Sequence, residues 1–457
     1  MSASEIVSII TILIISAIFV GLLKFIQTIK SNQSEVYNFD KDYKNAVNRP
    51  TYSADPQGEA TYIGHTSNKK GVFIPNEAKH VFVCGTTGSG KTVALANFLK
   101  SGVKNDYPML VVDGKGDTGE GSLLEITKDI CKDRKIYVIN LNDPENSDKY
   151  NPFKNTNPDV IKDMLINMTE WSEPHYKFNT ERYIQRLCCL LELSDIEISF
   201  ESLIKYMPAE DFVVLSEKLS DEKLITKEQH IENTNLARAN KEIIEGAAAR
   251  FATIKESKLG QIFDVSGIDI YTALQENAVI LFILNPLLYP ETSPLIGNLI
   301  VIDSKKAVSN LYANKKKRIF YILDEINVYA NTSLLDLVNK SRSANVTCVL
   351  ATQSLSDLDG VTDQLKEQII ENCNNYIVLR QNSPVNSEYW ANVIGTRETM
   401  HPTYQVDSGE STGLGSLRKV HEYIYHPQII KHLEQGKAIF VSRDKMFHTK
   451  IHINKPF

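Results

Sequence analysis

The stretch VFVCGTTGSGKTVALANFLK, residues 81–100, joins an apolar run to a glycine-rich turn and then to a helical pattern. The turn matches G-x-x-x-x-G-K-[ST], a motif whose backbone N–H groups hold phosphate oxygens at a helix N-terminus. In this motif the lysine reaches the β- and γ-phosphates, and the hydroxyl that follows it ligates Mg²⁺. The stretch therefore predicts a site for ATP and Mg²⁺. Its residues are Gly85, Thr86, Thr87, Gly88, Ser89, Gly90, Lys91 and Thr92.

A pair of carboxylates follows a second apolar run, in RIFYILDEINVYA at residues 318–330. The apolar residues 319–323 predict a buried strand, and Asp324 and Glu325 come at its carboxyl end, where ligands bind in doubly wound sheets. We expect Asp324 to ligate Mg²⁺ and Glu325 to act as the general base that activates the attacking water. The alternative is an acidic pair that opens a surface loop.

Further apolar runs, most of them separated by helical patterns such as residues 293–313, predict a mainly parallel sheet. Strands that alternate with helices favour an α/β fold with right-handed crossovers, here a RecA-like P-loop NTPase. The predicted strands are MLVVDGKGD (109–117), KIYVINL (135–141), AVILFIL (278–284), TCVLATQ (347–353), YIVLRQ (376–381) and KAIFVSRD (437–444). Gln353 ends one of them and is expected to orient water or sense the γ-phosphate. The alternative is an ordinary strand-end amide.

The strand signal fades between residues 157 and 246. Apolar residues recur there at helical spacing, and Gly and Pro are sparse, as is typical of amphipathic helices. We therefore expect an all-α domain at residues 157–245, inserted between two parts of the ATPase domain at residues 61–156 and 246–457.

The first thirty residues predict a membrane anchor. Residues 6–23 read IVSIITILIISAIFVGLL, without a charge, and as a helix they would span roughly 27 Å, about the thickness of a bilayer's hydrocarbon core. A cleaved signal peptide is the alternative, but it would carry Lys or Arg before the apolar run, whereas here Lys24 and Lys30 follow it. These charges predict a single span with its C-terminal side in the cytoplasm. Residues 31–60 are polar and contain Pro50 and Pro56, which is typical of a linker.

Charge and cysteine content exclude some classes of protein. The net charge is −6, so any contact with nucleic acid would come from local patches. The densest basic run is Lys315–Arg318, for which a solvated turn before a strand is favoured over a DNA contact. The six cysteines form no CxxC pair, which favours buried free thiols in a reducing compartment over a disulfide framework or a zinc site.

Taken together, these motifs resemble those of the TraD/TraG-type coupling proteins, the cytoplasmic ATPases of bacterial conjugation and type IV secretion. The likeness covers roughly residues 60–445 and keeps the same order of elements. The segments that carry it are GVFIPNEAKHVFVCG (71–85), the phosphate loop itself, VVDGKGD (111–117), LNDPENSDKYNPF (141–153), SRSANVTCVLATQSLSDL (341–358), IGTRE (394–398) and YHPQIIKHLEQGKAIF (425–440).

This resemblance implies a homo-hexameric motor in the bacterial inner membrane. Such a motor recruits single-stranded DNA with its relaxase and drives the complex to a type IV secretion channel. The chain departs from many relatives in showing one predicted membrane span where they have two. It also departs in ending at Phe457, where others extend to bind partners.

Arg342 lies eleven residues before Gln353, in a helical pattern that would carry it towards the edge of the subunit. In ring ATPases an arginine from the neighbouring subunit neutralises transition-state charge at the γ-phosphate. The matching block of the family also has an arginine at this place, so the resemblance implies that Arg342 is such a finger. The alternative is a surface arginine on a helix.

Three functions remain open at this point. The first is an ATP-driven translocase of DNA or nucleoprotein. The second is a membrane docking receptor that uses ATP only as an assembly switch, and the third is a protein-exporting secretion ATPase. Double-stranded DNA pumps of the FtsK and HerA kinds share the same core. The single N-terminal span and the LATQS block at residues 350–354 favour conjugation over them.

Overall fold

Eleven of the thirteen strands found in the described part of the chain form one sheet. In chain order the strands are β1 (Ala60–His65), β2 (Gly71–Pro75), β3 (His80–Cys84), β4 (Met109–Asp113), β5 (Ile136–Asn140), β6 (Val279–Ile283), β7 (Ile319–Asp324), β8 (Val346–Thr352), β9 (Cys373–Val378), β10 (Thr396–Asp407), β11 (Glu410–Tyr423), β12 (Lys437–Ser442) and β13 (Phe447–Ile453). The large sheet has the order β2-β1-β13-β12-β9-β3-β8-β7-β4-β6-β5.

These elements belong to a computed structural model of the chain. It describes residues 16, 18–27, 58–77, 79–168, 171, 173–312, 317–360, 364–407 and 410–457, with backbone alone over 402–407 and 410–417.

The seven strands from β9 to β5 in this order are parallel. Along β3, Phe82 and Cys84 enter the apolar core of one face of the sheet, whereas Val81 and Val83 enter the core of the other. Parallel sheets covered on both faces favour strands that are almost entirely apolar, which explains why most of these strands appear as nearly continuous apolar runs. The predicted mainly parallel α/β sheet is confirmed.

All seven parallel strands end on the same side of the sheet, which we call the carboxyl edge. It is marked by the last residues of β3, β4, β7 and β8, which are Cys84, Asp113, Asp324 and Thr352. The opposite side, where these strands begin, is the amino edge. Loops that leave the carboxyl edge form the ligand sites of doubly wound sheets.

Four antiparallel strands extend the sheet beyond β9. The run at residues 437–444 forms β12 (Lys437–Ser442), which pairs antiparallel with β9 and with β13. β1 then pairs antiparallel with β13 and with β2. In β1 and β2, buried side chains alternate with partly buried ones along most of each strand.

Helices cover both faces of the sheet. They are α1 (Lys91–Lys104), α2 (Leu123–Ile130), α3 (Pro158–Asn167), α4 (Pro174–Leu193), α5 (Phe200–Tyr206), α6 (Ala209–Asp221), α7 (Lys227–Ala239), α8 (Lys241–Glu256), α9 (Ile270–Gln275), α10 (Thr292–Leu311), α11 (Thr332–Ser341), α12 (Ser356–Asp359), α13 (Leu365–Asn372), α14 (Pro384–Ile394) and α15 (Pro427–Lys431), with short 3₁₀ turns at Lys258–Ile262, Ile326–Val328 and Arg342–Ala344. α1 and α2 pack on one face, and most of the others pack on the opposite face.

Helices α3 to α8 lie between β5 and β6, in the region where the sequence predicts an inserted all-α domain. Their side chains share one buried cluster with a face of the sheet: Leu187 and Phe212 from the helices meet the cluster that contains Phe82 and Ile280. α8 continues past residue 245, where we expected the ATPase domain to resume. The division of the chain into domains at these boundaries stays a prediction.

β10 and β11 form a two-stranded sheet of their own. Their antiparallel register runs from the Thr396–Tyr423 pair to the Asp407–Glu410 pair. Gly395, with a φ of +109°, joins α14 to this hairpin. The sequence analysis did not predict it.

The predicted membrane span at residues 6–23 lies mostly outside the described residues, which include only residue 16 and residues 18–27 in this region. Those residues are helical, and Phe19 and Phe25 among them are 61% and 65% exposed. Within the part of the chain that the structure describes, no helix has both the length and the apolar character needed to cross a membrane. The predicted linker lies outside the described residues except for residues 58–60.

A buried ionic cluster ties α10 to the loop that follows β5. The ammonium of Lys306 lies 2.7 Å from Asp303 Oδ1 and 3.7 Å from Asp269 Oδ2, and it donates to the carbonyl of Pro152 at 2.9 Å. The Tyr150 hydroxyl donates to Asp303 Oδ2 at 2.9 Å. Since both aspartate side chains are fully buried, the single ammonium is their main charge compensation.

Replacing Lys306 with Met should therefore lower the free energy of unfolding by about 3–5 kcal/mol, because removal of one partner leaves buried carboxylates uncompensated. The adjacent substitution Lys305→Met is a matched control. Lys305 pairs with Asp336 at 3.0 Å, but their side chains are 32% and 45% exposed, so its loss should cost at most about 1 kcal/mol. Urea unfolding followed by circular dichroism measures both, and equal shifts would contradict the assigned role of Lys306.

Candidate nucleotide-binding site

The glycine-rich turn lies between β3 and α1, at the carboxyl edge of the sheet. Gly88 and Gly90 have φ values of +73° and +112°, in the left-handed region that glycine adopts without strain. Gly85 has no room for a side chain, since a Cβ there would stand 2.6 Å from the Cβ of Leu379. The conformation of the turn thus explains the two glycines of the motif, Gly85 and Gly90, and also Gly88, at a position that the motif leaves free.

Neighbouring strands hold the turn in place. The N–H of Gly85 donates to the carbonyl of Thr352 at 3.3 Å, and the N–H of Thr86 donates to the carbonyl of Arg380 at 3.0 Å. Within the turn, the Ser89 hydroxyl donates to the carbonyl of Thr86 at 2.6 Å. The loop is therefore fixed from the strands on both sides of β3.

Lys91, the first residue of α1, is buried and points back into the turn. Its ammonium donates to the carbonyl of Gly85 at 2.9 Å and lies 3.3 Å from Glu325 Oε1. Thr92, the next residue, is partly buried. The lysine predicted to bind phosphate and the carboxylate predicted to act as base thus meet at the same point.

Asp324 ends β7 and Glu325 follows it, and both side chains are buried. Burial, together with the nearby charges of Glu325 and Asp113, raises the pKa of Asp324 to about 7. Glu325 has a φ of +46° and a ψ of 54°, a left-handed conformation that is uncommon for a residue with a side chain and clusters at functional sites. Its N–H donates to Asp324 Oδ1 at 3.0 Å.

Gln353 follows β8 and contacts the turn directly, since its Oε1 accepts from the hydroxyl of Thr87 at 3.0 Å. The structure therefore brings together the whole predicted loop, both carboxylates and this amide.

Arg342 does not belong to this cluster. It is exposed and follows α11, before β8 begins at the amino edge. Burial lowers the pKa of His80, the first residue of β3, to about 4, and the positive charge of Arg342 contributes to this lowering. The seven residues of β8 span about 23 Å, so Arg342 is far from the phosphate loop of the same chain.

Asp113 is a buried residue beside the site that sequence reasoning missed. It ends β4 directly opposite Asp324 in the parallel register, and burial raises its pKa to about 6. The signal was available, because an aspartate that closes a wholly apolar strand is the same pattern that identified Asp324. The cluster at the carboxyl edge therefore holds three carboxylates, those of Asp113, Asp324 and Glu325.

The basic run Lys315–Arg318 is described only in part, because Lys315 and Lys316 lie outside the described residues. Lys317 pairs with Asp106 Oδ2 at 2.6 Å. Arg318 is partly buried at the amino edge.

The donors at the site fit a magnesium nucleotide. The hydroxyl of Thr92 and the carboxylate of Asp324 are hard oxygen donors of the kind that Mg²⁺ prefers. The N-terminus of α1 and the ammonium of Lys91 favour the anionic phosphates. The arrangement can hold a nucleoside triphosphate with a general base beside it.

Solved structures with a similar fold include the bacterial conjugative coupling protein TrwB, in a form named TrwBdeltaN70. The TM-score is 0.61 at 17% sequence identity, over 88% of this chain and 90% of that chain. TrwB in complex with ADP and Mg²⁺ matches with a TM-score of 0.60 at 16% identity, over 88% of this chain and 91% of that one. VirB4 of Thermoanaerobacter pseudethanolicus matches with a TM-score of 0.52 at 11% identity, over 88% and 97% of the two chains. At these identities the likeness is one of fold.

Two comparisons at the level of sequence also gave matches. An uncharacterised protein of Mycoplasma pneumoniae is 31% identical over 117 residues, which cover 20% of this chain and 97% of that protein. The family of the type IV secretion-system coupling protein DNA-binding domain matches residues 71–454. Because that match spans most of the sequence, this chain belongs to the family of type IV secretion-system coupling proteins.

Proposed function

We propose that the protein is a membrane-anchored, ATP-driven motor that couples a complex of single-stranded DNA and relaxase to a type IV secretion channel. The observation that carries the proposal is the 3.3 Å approach of Lys91 and Glu325 at the phosphate loop. In a chain of the coupling-protein family, it supports hydrolysis as well as binding of nucleotide.

Each residue of the site has a role in this proposal. The backbone of Gly85–Thr92 and the ammonium of Lys91 bind the phosphates, and Thr92 and Asp324 hold Mg²⁺. When bound, Mg²⁺ supplies positive charge that stabilises the phosphate oxygens during transfer. Glu325 takes a proton from the attacking water. Gln353, whose side-chain oxygen accepts a hydrogen bond from the hydroxyl of Thr87, orients that water.

The proposed anchor is a single span at residues 6–23 in the bacterial inner membrane, with the ATPase domain in the cytoplasm. The charge-free apolar run supports it, and so do the exposed apolar side chains of the helical residues 18–27. Exposed apolar side chains of this density on a helix favour contact with lipid over contact with water.

The proposed assembly is a homo-hexamer in which Arg342 acts on the neighbouring subunit. Arg342 is exposed and lies at the amino edge, away from the phosphate loop of its own chain. An arginine so placed can complete a site only across a subunit boundary. The assembly and its contacts with DNA, relaxase and channel are parts of the proposal.

Single-stranded DNA should raise the ATP hydrolysis rate of the wild-type protein. The stimulation should be independent of DNA sequence and should weaken between about 50 and 200 mM salt, since phosphate contacts dominate such binding.

Glu325→Gln should bind ATP and hydrolyse it at least about 10²-fold more slowly, because the base is lost. Lys91→Ala should lose ATP binding. Phosphate release and fluorescent-nucleotide binding measure these quantities.

Turnover that DNA leaves unchanged at every salt concentration would favour a protein-exporting ATPase instead. Wild-type turnover no faster than that of Glu325→Gln would favour a docking receptor that uses ATP as an assembly switch. Equal loss of ATP binding in the two variants would contradict the division of roles between Lys91 and Glu325.

Asp324→Asn should stabilise the protein in the absence of nucleotide and Mg²⁺. Because burial raises the pKa of Asp324 from 3.8 to about 7, the ionised carboxylate destabilises the folded state, fully above pH 7 and less as the pH falls towards 4. The gain at pH 8 should be on the order of a few kcal/mol and should vanish near pH 4, as measured by urea unfolding.

Asp336→Asn is the control of opposite sign. A hydrogen bond from Lys305 lowers the pKa of Asp336, so its ionised form stabilises the fold above its unfolded pKa. At pH 8 this variant should be no more stable than wild type. A destabilised Asp324→Asn protein at pH 8 would contradict the assigned electrostatics of the site.

Arg342→Ala should bind ATP normally and hydrolyse it about 10³-fold more slowly, because the neighbouring site loses its arginine. Mixing it with Lys91→Ala subunits should restore part of the activity, since some boundaries then pair an intact loop with an intact arginine. Lys340→Ala, at a position whose side chain is 66% exposed, is the control and should keep wild-type turnover. No recovery at any mixing ratio, in rings shown to contain both subunits, would rule out action in trans.

A further inference from the structure

A tight turn follows β4 and lies beside the end of β7, after which comes Glu325, the proposed base. The turn consists of residues 113–117, DGKGD. Asp113 and Asp324 are opposite each other in the parallel register of β4 and β7. The turn begins with the N–H of Gly114, which donates to the carbonyl of Asp324 at 3.2 Å.

The side chain of Asp113 holds this turn in shape. It is 2% exposed, and its Oδ1 accepts from the N–H of Lys115 at 2.8 Å and from the N–H of Gly116 at 3.2 Å. This is an Asx-type turn, in which a short side chain satisfies the backbone that follows it. Gly116 has a φ of +76°, and a Cβ there would stand 2.1 Å from the carbonyl oxygen of Leu284, so the turn is also wedged against the end of β6.

The same turn packs closely against the backbone of Glu325. A Cβ on Gly114 would stand 2.7 Å from the carbonyl oxygen of Glu325 and 2.9 Å from that of Asp324. Glu325 is left-handed, with a φ of +46°, and a residue with a side chain keeps such a conformation only where its surroundings hold it there. The Gly114 backbone is one of the surfaces that hold it.

We propose that Asp113 is a positioning residue for ATP hydrolysis. By fixing the turn at residues 113–117, it holds the backbone of Glu325 in the left-handed conformation that directs the carboxylate towards Lys91. This inference rests on the hydrolysis proposed above and adds a residue to which no role was assigned. Asp113 acts through the acceptor geometry of its Oδ1 atom on two backbone N–H groups, and an asparagine at this position offers the same acceptor without the charge.

Three substitutions test this role. Asp113→Ala removes the acceptor, and Gly114→Ala drives a methyl group against the Glu325 carbonyl. Both should lower kcat about 10²-fold, the effect of misplacing a catalytic group by about 1 Å, with the affinity for a fluorescent ATP analogue within about threefold of wild type because the phosphate loop is untouched. Asp113→Asn should keep kcat within about fivefold, since its side-chain oxygen accepts the same hydrogen bonds.

Gly119→Ala is the control within the same loop. Gly119 is exposed, and its Cβ would meet only the Asp117 side chain, at 3.4 Å, so kcat and nucleotide affinity should stay at wild-type values. Thermal unfolding of each variant shows whether it is folded, and nucleotide binding shows whether the phosphate loop is intact. If Asp113→Ala does not fold, Gly114→Ala decides the question alone.

Wild-type kcat in Asp113→Ala or Gly114→Ala would overturn the proposal. So would an Asp113→Asn protein as slow as Asp113→Ala, because the negative charge would then be the essential property and not the turn. A wild-type protein that hydrolyses no faster than Glu325→Gln would overturn the proposed function, and the positioning role with it. Loss of kcat in Asp113→Ala and Gly114→Ala, with rescue by asparagine, supports the role.

Discussion

The buried charge at the carboxyl edge is the constraint on which the site depends. Asp113 and Asp324 are opposite each other there, Glu325 follows Asp324, and the ammonium of Lys91 lies 3.3 Å from Glu325 Oε1. Burial raises the pKa of both Asp113 and Asp324, and the charges of Glu325 and Asp113 raise that of Asp324 further, so ionised carboxylates are unfavourable here. Proteins keep such arrangements where function requires them and where a rigid framework holds the groups in place. Here the framework is the parallel sheet, whose strands end side by side.

One helix joins that site to the helical layer. Gly297 of α10 approaches the loop after β7 so closely that a Cβ would stand 2.6 Å from the Cβ of Tyr329, and the hydroxyl of Tyr329 donates to the carbonyl of Asp324 at 3.0 Å. Further along, α10 carries Asp303 and Lys306, whose buried cluster grips the loop after β5. Contacts along α10 therefore connect the backbone of Asp324 to the loop after β5.

Local patterns in the sequence were sufficient where a feature depends on neighbours along the chain. The phosphate loop, the strand before Asp324 and Glu325, and α10 (Thr292–Leu311) all follow from motif or periodicity. β1, β2 and β13 were not predicted because only some of their side chains are buried, so their apolar pattern is weak. The pairing of β1 with β13 also joins strands that are distant in sequence. The support that the 113–117 turn gives to Glu325 also depends on contacts between segments far apart, which no local pattern contains.

The β10–β11 hairpin has a mechanical consequence. Its first strand has twelve residues, so the ribbon extends about 40 Å from Gly395 if it stays straight. A ribbon joined to the body at one end behaves as a lever, and a rotation of about 10° at the base would move the tip of a 40 Å lever by about 7 Å. Small movements of α14 are thereby converted into displacements of the tip that exceed the distance between two neighbouring strands, about 4.8 Å.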